Sequence, residues 1–183
     1  MDKVPLERKV ADRSRTDTVT AEVKDPDAMV QEALARLPVD ARIIDCDPAK
    51  ADTAVFCEYY GFAPEDSANT ILVKAKTGLK RTVACVLLAD SRLDVNHVIR
   101  KRLGSRRVSF ASADDTSRLT GMEVGGVTPL ALPDDIAIWV DSRVMQRRQI
   151  VLGGGGRSTK IVTTPEIFRH IPNTEIVVSL AME

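Results

Sequence analysis

The sequence predicts a mixed α/β domain built on a strongly curved sheet, and three observations carry that prediction. Strand-like apolar runs outnumber helix-like segments and are interspersed with them along the chain. Two of these runs, TILVKA and RTVACVLLA, flank KTGLK, whose glycine marks a hairpin turn, so the sheet is not purely parallel. At 183 residues the chain has the length of one ordinary domain with one core.

Residues 1–24 mix Lys, Arg, Asp and Thr without apolar periodicity, which suits a flexible N-terminal arm; the folded domain is expected over 25–183. In DPDAMVQEALARLP, Met29, Val30, Ala33, Leu34 and Leu37 recur at helical spacing. Asp25 or Asp27 serves as the cap and Pro38 closes the segment. ARIIDC reads as a short strand, and DTAVFCEYYGF as a helix ending at Gly61. The hairpin follows, and then RLDVNHVIRKRLG as a helix with Val95, Val98, Ile99 and Leu103 inward and His97 on the polar side. Beyond it come a strand in RRVSFAS, a short helix in DDTSRLTG, and strands in IAIWVD, in QIVLGGGG where it enters a glycine loop, and in TKIVTT. A helix in PEIFRHI, with proline at its first position, and a strand in EIVVSLA complete the series.

Composition narrows the function classes. The 26 Lys plus Arg offset the 26 Asp plus Glu, so any attraction for a polyanion is local rather than global. Three widely spaced cysteines and two distant histidines give no disulfide framework and few zinc-type ligands, so neither a metal nor a redox cofactor is expected. Cys57 lies on the second helix with no histidine or cationic cluster to generate a thiolate, and reads as a small buried hydrophobe. The charged N-terminus has no apolar leader, and no run is long enough to span a membrane; a soluble cytoplasmic protein is the expectation.

Three stretches have the chemistry for a site. In MEVGGVTPLALP, Gly125 and Gly126 let the backbone pass close to a ligand, Thr128 adds a hydroxyl and Pro129 fixes the exit; a tight helix-to-strand connection accounts for the same residues. GGGGRSTK lacks the Walker spacing, which excludes a phosphate loop, yet its glycines expose amides beside Arg157 and Lys160. In RKRLGSRR, Arg100, Lys101, Arg102, Arg106 and Arg107 crowd a helix end, which fits either a nucleic-acid phosphate footprint or plain solvated surface.

Taken in order, YYGFAPEDSANTILVKA, ADSRLDVNHVIRKRLGSRRVSFASADDTSRLTGMEVGGVTPLALP and IVLGGGGRSTKIVTTPEIF resemble the YbaK family, also called the aminoacyl-tRNA synthetase-associated or prolyl-tRNA synthetase editing-domain family. The resemblance runs from about Asp25 to the C-terminus. It implies a single compact α/β domain with a curved, barrel-like mixed sheet surrounded by helices. It also implies hydrolysis, without cofactor, of the ester joining a wrong amino acid to tRNA, by a free-standing enzyme acting after the synthetase. Proofreading of this kind is needed because a binding pocket rejects a slightly smaller side chain by only a few kcal/mol.

By that resemblance, Asn69, Thr70, Gly125 and Gly126 are the candidate catalytic positions. Val127, Thr128, Pro129, Gly153, Gly154, Gly155, Gly156 and Ser158 hold the substrate, and Arg100, Lys101, Arg102, Arg106, Arg107, Arg157 and Lys160 meet tRNA. Aminoacyl-tRNA of the tRNA-Pro class is the expected partner, and the resemblance also admits a synthetase; no membrane partner is expected and the oligomeric state is not legible. One departure stands out. Active members usually carry a lysine where this chain has Asn69, so a cation that could steady charge on the ester carbonyl is replaced by a neutral amide. Lys74, five positions along the strand, points to the opposite side. Ala131, where the family often has glycine, is a milder departure expected to reduce the pocket. The alternative reading is therefore a binding module of the same fold with impaired catalysis.

Overall fold

The computed structural model describes residues 25–182, and the arm expected over residues 1–24 lies outside them. Helix α1, Pro26–Ala35, begins with the Asp25 carboxylate accepting from the Asp27 amide at 3.1 Å and buries Val30 and Leu34. Asp27, the other candidate cap, turns into the interior. Strand β1, Ala41–Asp45, leads to α2, Thr53–Tyr60, which ends at Gly61 in the left-handed conformation (φ 74°). The hairpin follows as β2, Ala68–Ala75, and β3, Thr82–Leu88, paired antiparallel across a turn containing Gly78.

Strand β4, Arg92–Leu93, precedes a segment where one continuous helix is expected from the sequence. Val95–Ile99 is instead wound as a π-turn, the Ile99 amide reaching the Asp94 carbonyl, before a single turn of α3, Arg100–Arg102. Asp94 also accepts from the His97 amide at 3.0 Å, which anchors the wider first turn. Then come β5, Val108–Phe110; α4, Ala113–Thr120, capped by Ser112; β6, Ala137–Asp141; β7, Ile150–Gly153; and β8, Thr159–Thr163. The expected helix in PEIFRHI is a 3₁₀ turn over Pro165–Arg169, tightened so that both Ile167 and Phe168 enter the core. The strand expected over EIVVSLA is cut in two, β9 over Thr174–Val177 and β10 over Ala181–Met182, because Ser179 takes a positive φ of 55° between them.

Ten strands form three sheets among the described residues. The largest has the order β5-β2-β3-β6-β9, antiparallel from β5 to β3 and parallel from β3 to β9. Its centre is buried on both faces, with Ala84, Val86 and Leu88 on one side of β3 and Val83, Cys85 and Leu87 on the other. That two-sided burial is why RTVACVLLA reads as an unbroken apolar run. A second sheet, β1-β8-β7, is antiparallel, and a short β10-β4 pair closes the last segment. The fold is thus a mixed α/β domain as expected, but no sheet closes into a barrel: β5 and β9 remain edges.

The three-stranded sheet meets the start of β2 through a parallel bridge between Ser67 and Val151, and α2 packs Phe56 and Cys57 against Val151 and Val162 there. Across this junction two glycine loops lie backbone to backbone. The Gly155 amide donates to the Gly126 carbonyl at 2.8 Å, and the Glu123 amide to the Gly155 carbonyl at 2.9 Å. A side chain on Gly126 would overlap the Gly156 carbonyl, and one on Gly153 would overlap the Gly126 carbonyl. Gly61, by contrast, has open space around its missing side chain. Gly126→Ala is therefore expected to destabilise the protein by about 3 kcal/mol, the upper range for forced overpacking, and Gly61→Ala by about 1 kcal/mol of left-handed strain. Equal urea midpoints for the two variants would contradict the close approach.

Candidate functional site

The junction of the two sheets encloses a cavity of about 240 Å³. Its walls come from four places: the start of α2 with Asp52, Thr53 and Phe56; β2 from Ser67 to Ile71; the loop with Val124, Gly125 and Val127; and β7 and β8 with Val151 to Gly153 and Lys160. Strand β2 brings Asn69 and Thr70 to the cavity. The Thr53 hydroxyl donates to Asn69 Oδ1 at 2.9 Å, which fixes the amide with its NH₂ free to donate. Thr70 is only 9% exposed and lines the same cavity, and its hydroxyl has no hydrogen-bond partner.

Lys160 differs most from its expected place. Read from sequence as a surface cation for tRNA, it is 5% exposed, and its ammonium donates to the Ala51 carbonyl at 2.8 Å and the Gly125 carbonyl at 2.7 Å. The cause is local. Lys160 lies between Ile44 of β1 and Gly153 of β7; on the β7 side no side chain opposes it, and the ammonium extends into the space beside Phe56, 5.5 Å from the ring centroid. Burial pushes the Lys160 ammonium below the ordinary lysine range; Arg157 adds to that effect, while Asp52 acts against it.

Arg157 is also spoken for. Its guanidinium donates to the Pro48 carbonyl, to Asp52 Oδ1 at 3.1 Å and to the Val124 carbonyl at 3.0 Å, tying the lip of the cavity together rather than standing free for a phosphate. Behind the cavity, Asp27 Oδ1 accepts from the Gly156 amide at 2.9 Å and the Thr159 hydroxyl at 2.8 Å, which pins the glycine loop to α1.

The other expected positions divide clearly. Gly125, Val127 and Gly153 line the cavity. Gly126, Gly154, Gly155 and Gly156 form its backing, and Thr128 is wholly buried with an unpartnered hydroxyl. Pro129 lies instead on a second cavity of about 310 Å³, with Ala131. Ala131 has a positive φ of 57°, so a glycine there would relieve backbone strain rather than enlarge the first cavity. Ser158 is exposed and contributes its carbonyl to the Cys46 amide, away from the cavity. Arg100, Lys101, Arg106 and Arg107 are exposed around the end of the π-turn and α3, whereas Arg102 pairs with Glu175 at 2.6 Å and stacks over Trp139. Lys74 pairs with Asp115 at 2.6 Å, and with Arg118 it holds that carboxyl well below the usual range.

Thr53, Phe56 and the interior Lys160 went unread in the sequence. A lysine within a short β-branched run, TKIVT, was the available signal for the last, and it does not tell which way the side chain points. Thiol chemistry does not fill the gap: burial pushes the Cys46 thiol up and that of Cys85 to about 12, leaving little thiolate at neutral pH. Cys57 is buried with its sulfur 3.1 Å from the Ser67 hydroxyl.

Residues 47–171 match the family described as the aminoacyl-tRNA editing domain. Among solved structures, the chain is similar to the hypothetical protein APE2540, with a TM-score of 0.75 and 23% identity over 84% of this chain and 99% of that one. It is also similar to a candidate trans-editing enzyme for prolyl tRNA synthetase, with a TM-score of 0.74 and 16% identity over 87% of this chain and 98% of that one. At these identities the likeness is one of fold.

The buried ammonium has a measurable consequence. Its folded-state pKa lies below the ordinary value of about 10.4, so the unfolded chain binds more protons between those two values. The stability of the wild type relative to Lys160→Gln should accordingly rise with pH through that window, read as the difference in urea midpoints. A difference that is flat or falls with rising pH would place Lys160 in water rather than in the cavity.

Proposed function

Since this chain belongs to the aminoacyl-tRNA editing domain family, we propose that its cavity receives the aminoacyl end of a mischarged tRNA and cleaves the ester with water as nucleophile. The observation that carries this reading is the convergence of Asn69, Thr70, Gly125, Val127 and Gly153, from three separate parts of the chain, on one cavity of about 240 Å³. That volume is below the roughly 300–1,000 Å³ of drug-sized sites, so it suits an amino-acid side chain and its ester while the terminal ribose stays at the mouth. A site of limited volume acts as a second sieve, because only aminoacyl groups small enough to enter meet the hydrolytic groups.

Within it, the Asn69 NH₂ orients the ester, Thr70 forms part of the wall beside it, and the backbone of Gly125 and Val127 holds the substrate against the Gly153 end of β7. Gly126 and Gly154 to Gly156 act by keeping the two loops in contact, and the exposed Arg100, Lys101, Arg106 and Arg107 follow the tRNA backbone by charge. Action in trans on the tRNA-Pro class, with a synthetase as a further partner, is supported by the similarity to the candidate trans-editing enzyme for prolyl tRNA synthetase.

A second reading is favoured by Asn69 itself, whose amide brings no charge to the ester: a module that binds aminoacyl-tRNA or an amino acid without cleaving it. Incubation with a panel of radiolabelled aminoacyl-tRNAs, mischarged tRNA-Pro among them, separates the two. The enzyme reading expects ester loss from at least one member, and a marked slowing in Asn69→Ala. Binding without hydrolysis across the whole panel would leave the module reading standing in its place.

A further inference from the structure

We infer that Lys160 is the catalytic cation of this site, its ammonium hydrogen-bonding the ester carbonyl oxygen and stabilising the negative charge that develops there during hydrolysis. The inference rests on the ester-cleaving reading above and assigns it a residue that the sequence pattern places elsewhere.

The charge balance of the cavity leads to it. An ammonium has three N–H donors, and Lys160 commits two of them to the neutral carbonyls of Ala51 and Gly125. Among the described residues no carboxylate is hydrogen-bonded to it. Asp52, the acid at the cavity wall, gives Oδ1 to Arg157 and is largely exposed. Burying a charge with no counter-ion costs several kcal/mol, and two neutral carbonyls offset only part of that. A group that becomes negative in the cavity would therefore meet an ammonium that no hydrogen-bonded carboxylate among the described residues neutralises.

Neighbouring groups point the same way. Asn69 has its oxygen tied to Thr53, so it offers its NH₂ as a donor. Lys160, Asn69 and Thr70 reach the cavity from β8 and β2, two strands that flank β7 at the junction. A ligand oxygen there meets the Lys160 ammonium and the Asn69 NH₂ beside a partly desolvated wall, where such donors act more strongly on developing charge than they do in water.

The chemical step balances without a further reactant. The oxygen of a water molecule bonds to the carbonyl carbon as the C=O π pair moves onto oxygen, where Lys160 holds the resulting oxyanion. When C=O re-forms, the bond to the ribose oxygen breaks; that oxygen takes one proton from the attacking water, and the second leaves as the product carboxylic acid ionises. A free amino acid and a tRNA with its terminal hydroxyl depart, and Lys160 is unchanged. The neutral residue at position 69 is then compatible with catalysis, because the cation enters from β8.

Single-turnover cleavage of the best substrate in the panel, with the full chain in excess, tests the assignment. Lys160→Gln keeps donors for the two carbonyls but removes the charge; it should slow the cleavage step roughly 100-fold, the usual loss for one oxyanion donor, with little change in tRNA binding. Lys160→Arg should retain more of the rate than Lys160→Gln. With uncatalysed hydrolysis subtracted, the wild-type rate should show a falling limb at a pH below about 10.4 that Lys160→Gln lacks, a signature that a merely structural clamp on Gly125 would not produce. A Lys160→Gln protein with wild-type melting behaviour and wild-type cleavage rate would overturn the inference. If the wild type cleaves no member of the panel, the functional reading fails separately. A non-hydrolysable aminoacylamino-adenosine then decides the contact: affinity lowered by about tenfold in Lys160→Gln supports it, and unchanged affinity, or no binding to the wild type, overturns it.

Discussion

The contact between the Gly125–Gly126 loop and the Gly153–Gly156 loop is the constraint on which the site depends. The two backbones lie so close that a methyl group on Gly126 or Gly153 would occupy the space of a facing carbonyl. Hydrogen bonds from the Gly155 amide to Gly126 and from the Glu123 amide to Gly155 hold them there. Close packing of bare peptide groups has two effects at once. It seals one wall of the cavity, and it sets the Gly125 carbonyl where Lys160 reaches it. Asp27 from α1 and Arg157 at the lip fasten the same pair of loops from behind and in front. Three distant parts of the sequence therefore share one geometry, and a change in any of them is felt in the cavity.

Electrostatics follows from that packing. The glycines leave room for an ammonium but provide only neutral hydrogen-bond partners for it, so the positive charge of Lys160 is held in a desolvated position with no hydrogen-bonded counter-ion among the described residues. Such a group is costly in the empty site and effective when negative charge forms beside it, which is the condition for differential stabilisation of a transition state. Under the proposed mechanism the neutral amide at position 69 is no deficit: Asn69 would orient the ester, and the charge would come from β8 on the far side of β7.

Much of the fold was legible in the sequence because its signals are local. The KTGLK hairpin, the Asp25 cap with Pro26, the Gly61 stop and the two-sided apolar run of β3 each depend on neighbours in the chain. The misread segments are those decided at a distance. Ser179 breaks the last strand so that β10 can pair with β4, ninety residues earlier in the chain, and the turn at Pro165 tightens to place both Ile167 and Phe168 in the core. The site was half legible for the same reason. Glycine loops announce themselves by composition, but strand β8 is buried on both faces, so no alternation told which way Lys160 pointed. The place of Lys160 between Ile44 and Gly153, with α2 packed against the sheet, decides that, and pairing is a property of the folded sheet.

The account stands most directly on where an aminoacyl ester sits. A crystal structure of the protein with a non-hydrolysable aminoacylamino-adenosine is the measurement. The carbonyl oxygen should lie within hydrogen-bonding distance of Lys160 Nζ and the Asn69 amide, with the amino-acid side chain inside the cavity and the adenosine at its mouth. An analogue bound with its carbonyl turned away from Lys160, or seated in the second cavity beside Pro129 and Ala131, would contradict it.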